Sequence, residues 1–286
     1  MRRLRPVRKK LKKPPFCGTI SVRRTPVYRQ ERNSRMTDYR VMINGIEVNA
    51  RYSRRAQEEI FFPLLRKLTA LRREKGRRIL ALLAAPPGAG KTTLLSFLEK
   101  LSREQPDTEP VQVIGMDGFH RRQEYLLSHT TERDGKQIAM VEIKGAPETF
   151  DLDALIRAVK KVSAGEDTGW PVYDRMLHNP VDDAARVDGG IVLLEGNYLL
   201  LDGDGWRELR TLADYTVSVS AEEKLLRERL IDRRIRTGVD REKAIRFVDF
   251  SDMPNVRLCL EKSLPADLRL RLDEAGDYWT CTDTEV

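Results

Sequence analysis

Four short stretches of the chain are apolar almost without a break: 79–84 (ILALLA), 111–116 (VQVIGM), 191–195 (IVLLE) and 215–219 (YTVSV). They lack the alternation of a half-solvated strand, so they predict strands covered on both faces. Between them the period lengthens to three and four. Residues 91–104 put Leu94, Leu95, Leu98 and Leu101 on one helical face. Residues 151–162 do the same with Leu152, Leu155, Ile156 and Val159, behind Asp151 as N-cap. Residues 221–236 read as a third, very basic helix. Strands of this kind alternating with helices predict an α/β fold, with a mostly parallel central sheet between two helical layers.

The flanks carry other patterns. YRVMINGIEVNARY (39–52) alternates about Asn44-Gly45, which predicts a hairpin with a tight turn. Residues 53–76 place Ile60, Leu64, Leu68 and Leu71 at helical spacing and stop at Gly76. Pro63 is expected to kink that helix or split it in two. LRLRL (268–272) alternates strictly, as an edge strand would.

Composition narrows the picture. With 286 residues, 40% of them hydrophobic, the chain can bury a core without a covalent staple. Cys17, Cys259 and Cys281 are far apart. That argues for a reducing, cytoplasmic setting and against disulfides or structural zinc. No apolar run approaches the length of a membrane span, and no apolar segment follows the basic N-terminus as a secretory signal requires.

The formal charge of +8 divides unevenly: residues 1–35 carry +12 and the rest −4. The basic segment has four prolines and little periodicity, so residues 1–35 are expected to be a disordered extension. It would tether RNA or an anionic membrane, address an organelle, or be dispensable, with Met36 as the working start. Residues 36–286 are expected to form a single domain.

Chemistry concentrates where the apolar runs end. Residues 85–92 read APPGAGKT, a phosphate-binding loop between a predicted strand and a predicted helix, with Ala85 in place of the usual first glycine. From Pro87 to Thr93 the loop would hold a polyphosphate. Gly88 and Gly90 let the backbone N–H groups, Ala89's among them, turn inward. Lys91 reaches the β- and γ-phosphates, and Thr92 can ligate Mg²⁺. The next two runs end at Asp117 and Glu195, and in a parallel sheet such ends share the ligand-binding edge. Glu195 would hold Mg²⁺ or its water, and Asp117 would take a proton from an attacking hydroxyl.

KGAPETFD (144–151) and WPVYDRMLHNP (170–180) read as walls of an acceptor site. The three histidines, His120, His129 and His178, lack the spacing of zinc ligands. Arg229, Arg233 and Arg236 share one helical face, either closing over phosphates or forming a solvated basic surface.

Taken in order, the loop, MDGFH, KGAPETFD, PVYDRMLH, LLEGNYLLL, the arginine helix and SDMPN (251–255) resemble the uridine kinase, pantothenate kinase and phosphoribulokinase group of P-loop kinases. Within it, the chain is most similar to a bacterial nucleoside/nucleotide kinase-like branch linked to fructose-uptake genes. The resemblance covers about residues 41–272. It implies a P-loop NTPase sandwich with a helical lid at about 227–250, ATP with Mg²⁺ as cofactors, and transfer to a hydroxyl.

It also implies roles. Asp117 is the base, with Lys91, Arg229 and Arg233 as catalytic partners. Arg236 and Asn255 close on the nucleotide. His120, Lys144, Tyr173, Arg175, His178 and Asn197 face the acceptor. Where uridine kinases carry an aromatic residue, Ser and Tyr, this chain has Arg175, Gly118 and His120, which favours an anionic or polyol acceptor over a stacked pyrimidine. The expected partners are thus a small hydroxyl acceptor and, through residues 1–35 alone, nucleic acid; a homodimer stays open. Two rival readings are a nucleotide-dependent switch and an RNA-associated protein. The first lacks a guanine-reading Asn-Lys-x-Asp.

Overall fold

A computed structural model describes residues 36–43, 46–133 and 135–281. The basic segment 1–35 and the Asn44-Gly45 turn lie outside the described residues. β1 (Met36–Ile43) and β2 (Ile46–Ser53) pair antiparallel. α1 (Arg54–Ala56), a π-helical turn (Gln57–Phe61) and α2 (Phe62–Lys75) then run on as one helix. The helix does not split in two at Pro63. Pro63 stands at the start of α2, and the preceding turn widens so that Phe62 N–H bonds the carbonyl of Gln57. The i→i+5 bond of the widened turn accommodates a proline that has no N–H to give to the regular ladder. Gly76, at φ 62°, ends the helix in the left-handed conformation open to glycine.

The core follows as β3 (Ile79–Ala84), α3 (Lys91–Glu104) and β4 (Val111–Gly115). An excursion of α4 (Gln123–Ser128), β5 (Thr130–Arg133) and β6 (Lys136–Ala139) leads to α5 (Leu152–Ser163). A second hairpin, β7 (Thr168–Asp174) and β8 (Asn179–Val187), precedes β9 (Ile191–Gly196), α6 (Arg207–Leu212) and β10 (Tyr215–Ala221). The chain continues through α7 (Glu223–Arg236), α8 (Arg241–Phe247), a second π-helical turn (Val248–Asp252) and α9 (Met253–Lys262). It returns as β11 (Leu268–Leu272) and β12 (Tyr278–Thr280).

The central sheet has the order β12-β11-β10-β3-β9-β4. All neighbours are parallel except β11 and β12. Alternate residues of β3 feed opposite layers: Ile79, Ala81 and Leu83 join α2, α3 and α7, whereas Leu80, Leu82 and Ala84 join α5 and the Tyr198–Leu201 segment. That two-sided burial is why the run shows no alternation; each fully buried Leu or Ile stabilises the fold by about 1.5–3 kcal/mol. LRLRL is not an edge, which corrects the expectation. It pairs with β10 on one side and β12 on the other. Its alternation reports one buried face, Leu270 and Leu272, while on the other face Arg271 bonds Glu222 at 2.8 Å.

The N-terminal hairpin is fastened to the phosphate-loop helix. Tyr52 stacks on Phe97 of α3 with centroids 4.2 Å apart, and the Tyr39 hydroxyl meets that of Ser96 at 2.7 Å. Among the described residues, no helix is long and apolar enough to cross a membrane.

Candidate active site

The loop between β3 and α3 holds the shape a phosphate requires. Gly88 and Gly90 take φ values of 85° and 81°, while Ala85 stays out of the left-handed region. Gly90 caps α3 without a side-chain hydrogen bond, which leaves the first N–H groups of the helix without a capping side chain, the arrangement that suits an anion. Pro87 and Ala89 are buried and Thr93 is half-buried, which fixes the loop against the core. Gly88 lies against α7: a Cβ there would stand 3.1 Å from both the Leu226 carbonyl oxygen and Leu230 Cγ.

At the end of β9, Glu195 accepts a hydrogen bond of 2.6 Å from Thr92 Oγ1 and stands 3.8 Å from Lys91 Nζ. Burial raises the Glu195 pKa and the Lys91 charge opposes that rise; the nearby negative charge of Asp117 adds to it. A hydroxyl and a carboxylate in contact are hard oxygen donors of the kind Mg²⁺ prefers.

Asp117 lies just past β4, in the 3-10 turn Met116–Phe119. Its β4 neighbour Gly115 pairs with Glu195 across the sheet. The strand stops one residue short of the predicted VQVIGM because Met116 already belongs to that turn. The turn is held by its own chemistry. The His120 ring Nδ1 bonds the Asp117 carbonyl at 2.8 Å, and Trp170 Nε1 donates to the Gly115 carbonyl at 2.8 Å. The Asp117 carboxylate itself has no hydrogen bond or ion pair among the described residues. It is half-buried and acts through its charge on Glu195, His120, Tyr173 and Arg233.

Several expected acceptor residues gather beside it. The His120 ring lies 3.9 Å from that of Phe150 and 5.2 Å from that of Tyr173. Lys144 Nζ sits 5.0 Å over the Tyr173 ring and donates to Gln123 Oε1 and to the His178 carbonyl, at 2.7 and 3.0 Å. Burial lowers the Lys144 pKa and raises that of Tyr173. Arg175 is exposed, yet its charge reaches His120, Tyr173 and Arg233. His178 adopts φ 53° at the exposed hairpin tip, and it is the carbonyl that meets Lys144. Asn197 follows directly on β9 with Oδ1 buried and unpartnered.

The arginine helix divides. Arg233 keeps much of its surface open, but nearby protein strips water from the guanidinium and lowers its pKa, while Asp252 and Asp117 pull the other way. Arg229 instead lies at the β11–β12 turn, its Nη2 at 3.4 Å from where a Cβ on Gly276 would be. Arg236 is exposed at the last turn of α7. The segment 227–250 is braced by Arg227–Asp249 at 2.6 Å, and Arg234 holds Asp252 at 3.1 Å. Asn255 is buried and donates to the Ser251 carbonyl at 3.0 Å, so its amide closes the π-helical turn. The two wall stretches contain Phe150 and Trp170, but only the fold shows Trp170 holding the Gly115 carbonyl and Phe150 packing on the His120 ring.

His120 yields a direct test. Burial lowers its pKa below the ordinary 6.5, so the folded state resists the proton. Stability is therefore expected to fall as pH drops below about 6.5, and to go on falling to the depressed folded value. His120→Asn keeps a donor near the Asp117 carbonyl and should flatten that part of the pH–stability curve, measured by denaturant unfolding of both proteins.

A phosphate loop, a strand-end carboxylate on its threonine and an unpaired aspartate beside them define a P-loop phosphotransferase. Residues 80–266 match the phosphoribulokinase / uridine kinase family, and the chain belongs to it. Members are small-molecule kinases that use ATP and transfer phosphate to hydroxyl groups, and this chain is an enzyme of that class. Escherichia coli (strain K12) YggC, an uncharacterized protein, is 39% identical over 237 residues, 82% of this chain and 96% of that protein. The pantothenate kinase of Shewanella loihica is 27% identical over 68% of this chain and 67% of its own. The crystal structure of a candidate fructose transport system kinase from Silicibacter sp. TM1040 is 30% identical, covering 71% of this chain and 98% of that one, with a TM-score of 0.61. YFH7 from Saccharomyces cerevisiae, at 16% identity and a TM-score of 0.61, shares the fold.

Proposed function

We propose that the protein transfers the γ-phosphoryl group of ATP, as its Mg²⁺ complex, to a hydroxyl of a small metabolite of the sugar, nucleoside or pantothenate kind. The observation that carries this reading is the carboxylate of Asp117, unpaired and close in charge to Glu195, beside the Lys91–Glu195–Thr92 cluster. A switch needs no such group, whereas a kinase needs an acceptor for the hydroxyl proton.

The residues divide the work. The N–H groups of 88–92 and the Lys91 ammonium bind the β- and γ-phosphates. Thr92 and Glu195 would hold Mg²⁺, which when bound neutralises phosphate charge. The acceptor oxygen forms a bond to the γ-phosphorus, and the bond to the bridging oxygen breaks, leaving ADP with the electron pair. The hydroxyl proton passes to Asp117. Arg233 faces the charge that spreads over the transferring group. His120 and Trp170 fix the turn that aims Asp117, so catalysis is mostly positioning.

Residues 36–286 act as one domain in this reading, with 227–250 as the lid and Arg229 and Arg236 reaching the nucleotide only if α7 shifts. The names of the relatives support both sugar and pantothenate acceptors. ADP release measured over sugars, sugar phosphates, nucleosides and pantothenate should rise at least tenfold over buffer for one class. ATP hydrolysis that no acceptor changes would instead support a switch.

A further inference from the structure

The β7–β8 hairpin carries Tyr173, yet it belongs to no larger sheet: its two strands pair only with each other. At its base it is fastened by Trp170, which is buried and holds the Gly115 carbonyl. The far end has no such anchor. Met176 and Leu177 are 90% and 61% exposed there, so burial does little to seat the tip. The turn closes on itself. Asp174 Oδ1 accepts from the N–H groups of Met176 and Leu177 at 2.7 and 3.0 Å. His178 takes φ 53°, a left-handed conformation that few side chains adopt.

A polar knot ties this tip to the rest of the chain. The Gln123 N–H donates to Asn179 Oδ1 at 2.7 Å. Lys144 Nζ donates to Gln123 Oε1 at 2.7 Å and to the His178 carbonyl at 3.0 Å. Among the described residues, no other hydrogen bond from outside the hairpin reaches 174–179. Arg122 pairs with Asp182 nearby at 2.6 Å, but both side chains are exposed, and such pairs stabilise little.

Each part of the knot answers a local need. Gln123 opens α4, and Arg122 at the N-cap position supplies no side-chain acceptor. The first N–H groups of a helix lack intrahelical partners, so Asn179 does from the hairpin what a capping residue does within a helix. Lys144 is half-buried and has no ion pair among the described residues, so its ammonium leans on two neutral oxygens. An ammonium has three N–H donors, and one remains unspent 5.0 Å over the Tyr173 ring. The knot thus joins the stretches 144–151 and 170–180 through α4, which belongs to neither.

We infer that Gln123 and Asn179 are positioning residues of the acceptor site: they hold the hairpin tip against α4 and so fix Lys144 and Tyr173 where the acceptor binds. This rests on the kinase reading above and adds a division of labour along one hairpin. Trp170 at the base aims the Asp117 turn and bears on turnover. The knot at the tip makes no hydrogen bond to Asp117 or the phosphate loop among the described residues, and it bears on acceptor affinity.

The test uses the full chain with ATP and Mg²⁺, following ADP release with fructose, fructose 6-phosphate, uridine and pantothenate. Gln123→Met and Asn179→Ala each remove one accepting oxygen. Each should raise KM for the best of the four acceptors about tenfold, with kcat within about threefold and ADP affinity unchanged, the pattern of lost binding rather than lost chemistry. Gln123→Glu and Asn179→Asp keep an oxygen in place and should bring KM back to within about threefold of wild type. Backbone amides of 174–179 should exchange hydrogen about tenfold faster in Asn179→Ala, with those of β9 unchanged. A wild-type KM in both truncated variants, or unchanged exchange at the tip, overturns the inference and leaves the kinase reading standing. A joint fall of kcat, ADP affinity and Tm also overturns it, because the two residues would then be structural only. ADP release that none of the four acceptors alters removes the kinase reading, and the acceptor role of the knot with it.

Discussion

Asp117→Asn should leave nucleotide binding within about twofold of wild type and lower kcat by about 10²–10⁴-fold, the usual contribution of a positioned general base. The substitution keeps size and shape, and no hydrogen bond or ion pair of the carboxylate is lost because none is made among the described residues. The backbone carbonyl that anchors His120 is untouched. Removing a negative charge near Glu195 relieves part of what raises that carboxylate's pKa, so Mg²⁺–nucleotide affinity should rise slightly or stay level. The diagnostic pattern is a kcat loss without a matching loss of affinity, read from steady-state rates and from ADP titration calorimetry. A variant with wild-type turnover would remove Asp117 from the chemistry.

Gly118→Ala should be the most damaging single-methyl change at the site. A Cβ at Gly118 would stand 1.9 Å from the Pro171 carbonyl oxygen and 2.4 Å from its carbon. Both are backbone atoms of β7, and β7 is tethered by the Trp170 bond to Gly115, so neither partner can swing aside. Either the Asp117 turn or the hairpin must move. Overpacking of this severity costs about 3 kcal/mol or more, which in a domain of this size lowers Tm by roughly 6–12 °C. Displacing the Asp117 carboxylate by a fraction of an ångström should also lower kcat at least tenfold. Gly203→Ala is the control. It meets nothing closer than Leu201 Cγ at 3.7 Å, so it should cost less than about 1 kcal/mol. Thermal unfolding of the two variants side by side separates close packing from a general intolerance of added methyls.

Much of the molecule is legible in the sequence because its strongest signals are local. Two-sided burial makes β3 and β9 read as unbroken apolar runs, and the phosphate loop is written in consecutive residues. The strand-end rule places Asp117 and Glu195 on one edge without a single contact being known. Other features depend on tertiary packing that no window of sequence contains. Strict alternation in 268–272 reflects one-sided burial, and β12, only three residues long, occupies the edge instead. Pro63 carries a breaking signal that a π-helical turn absorbs. Arg229 and Arg233 share a helical face in sequence, yet one lies by Gly276 while the other feels the charges of Asp252 and Asp117.

The central claim is that phosphate passes from ATP to a hydroxyl at the cleft formed by Lys91, Asp117 and Glu195. The most direct test is the fate of the γ-phosphoryl group, followed with γ-labelled ATP in the presence of the accepted metabolite. The account predicts label in an organic phosphate ester formed one-for-one with ADP, and its disappearance in Asp117→Asn. Label recovered only as inorganic phosphate, at a rate that no acceptor alters and that the variant shares, would contradict it.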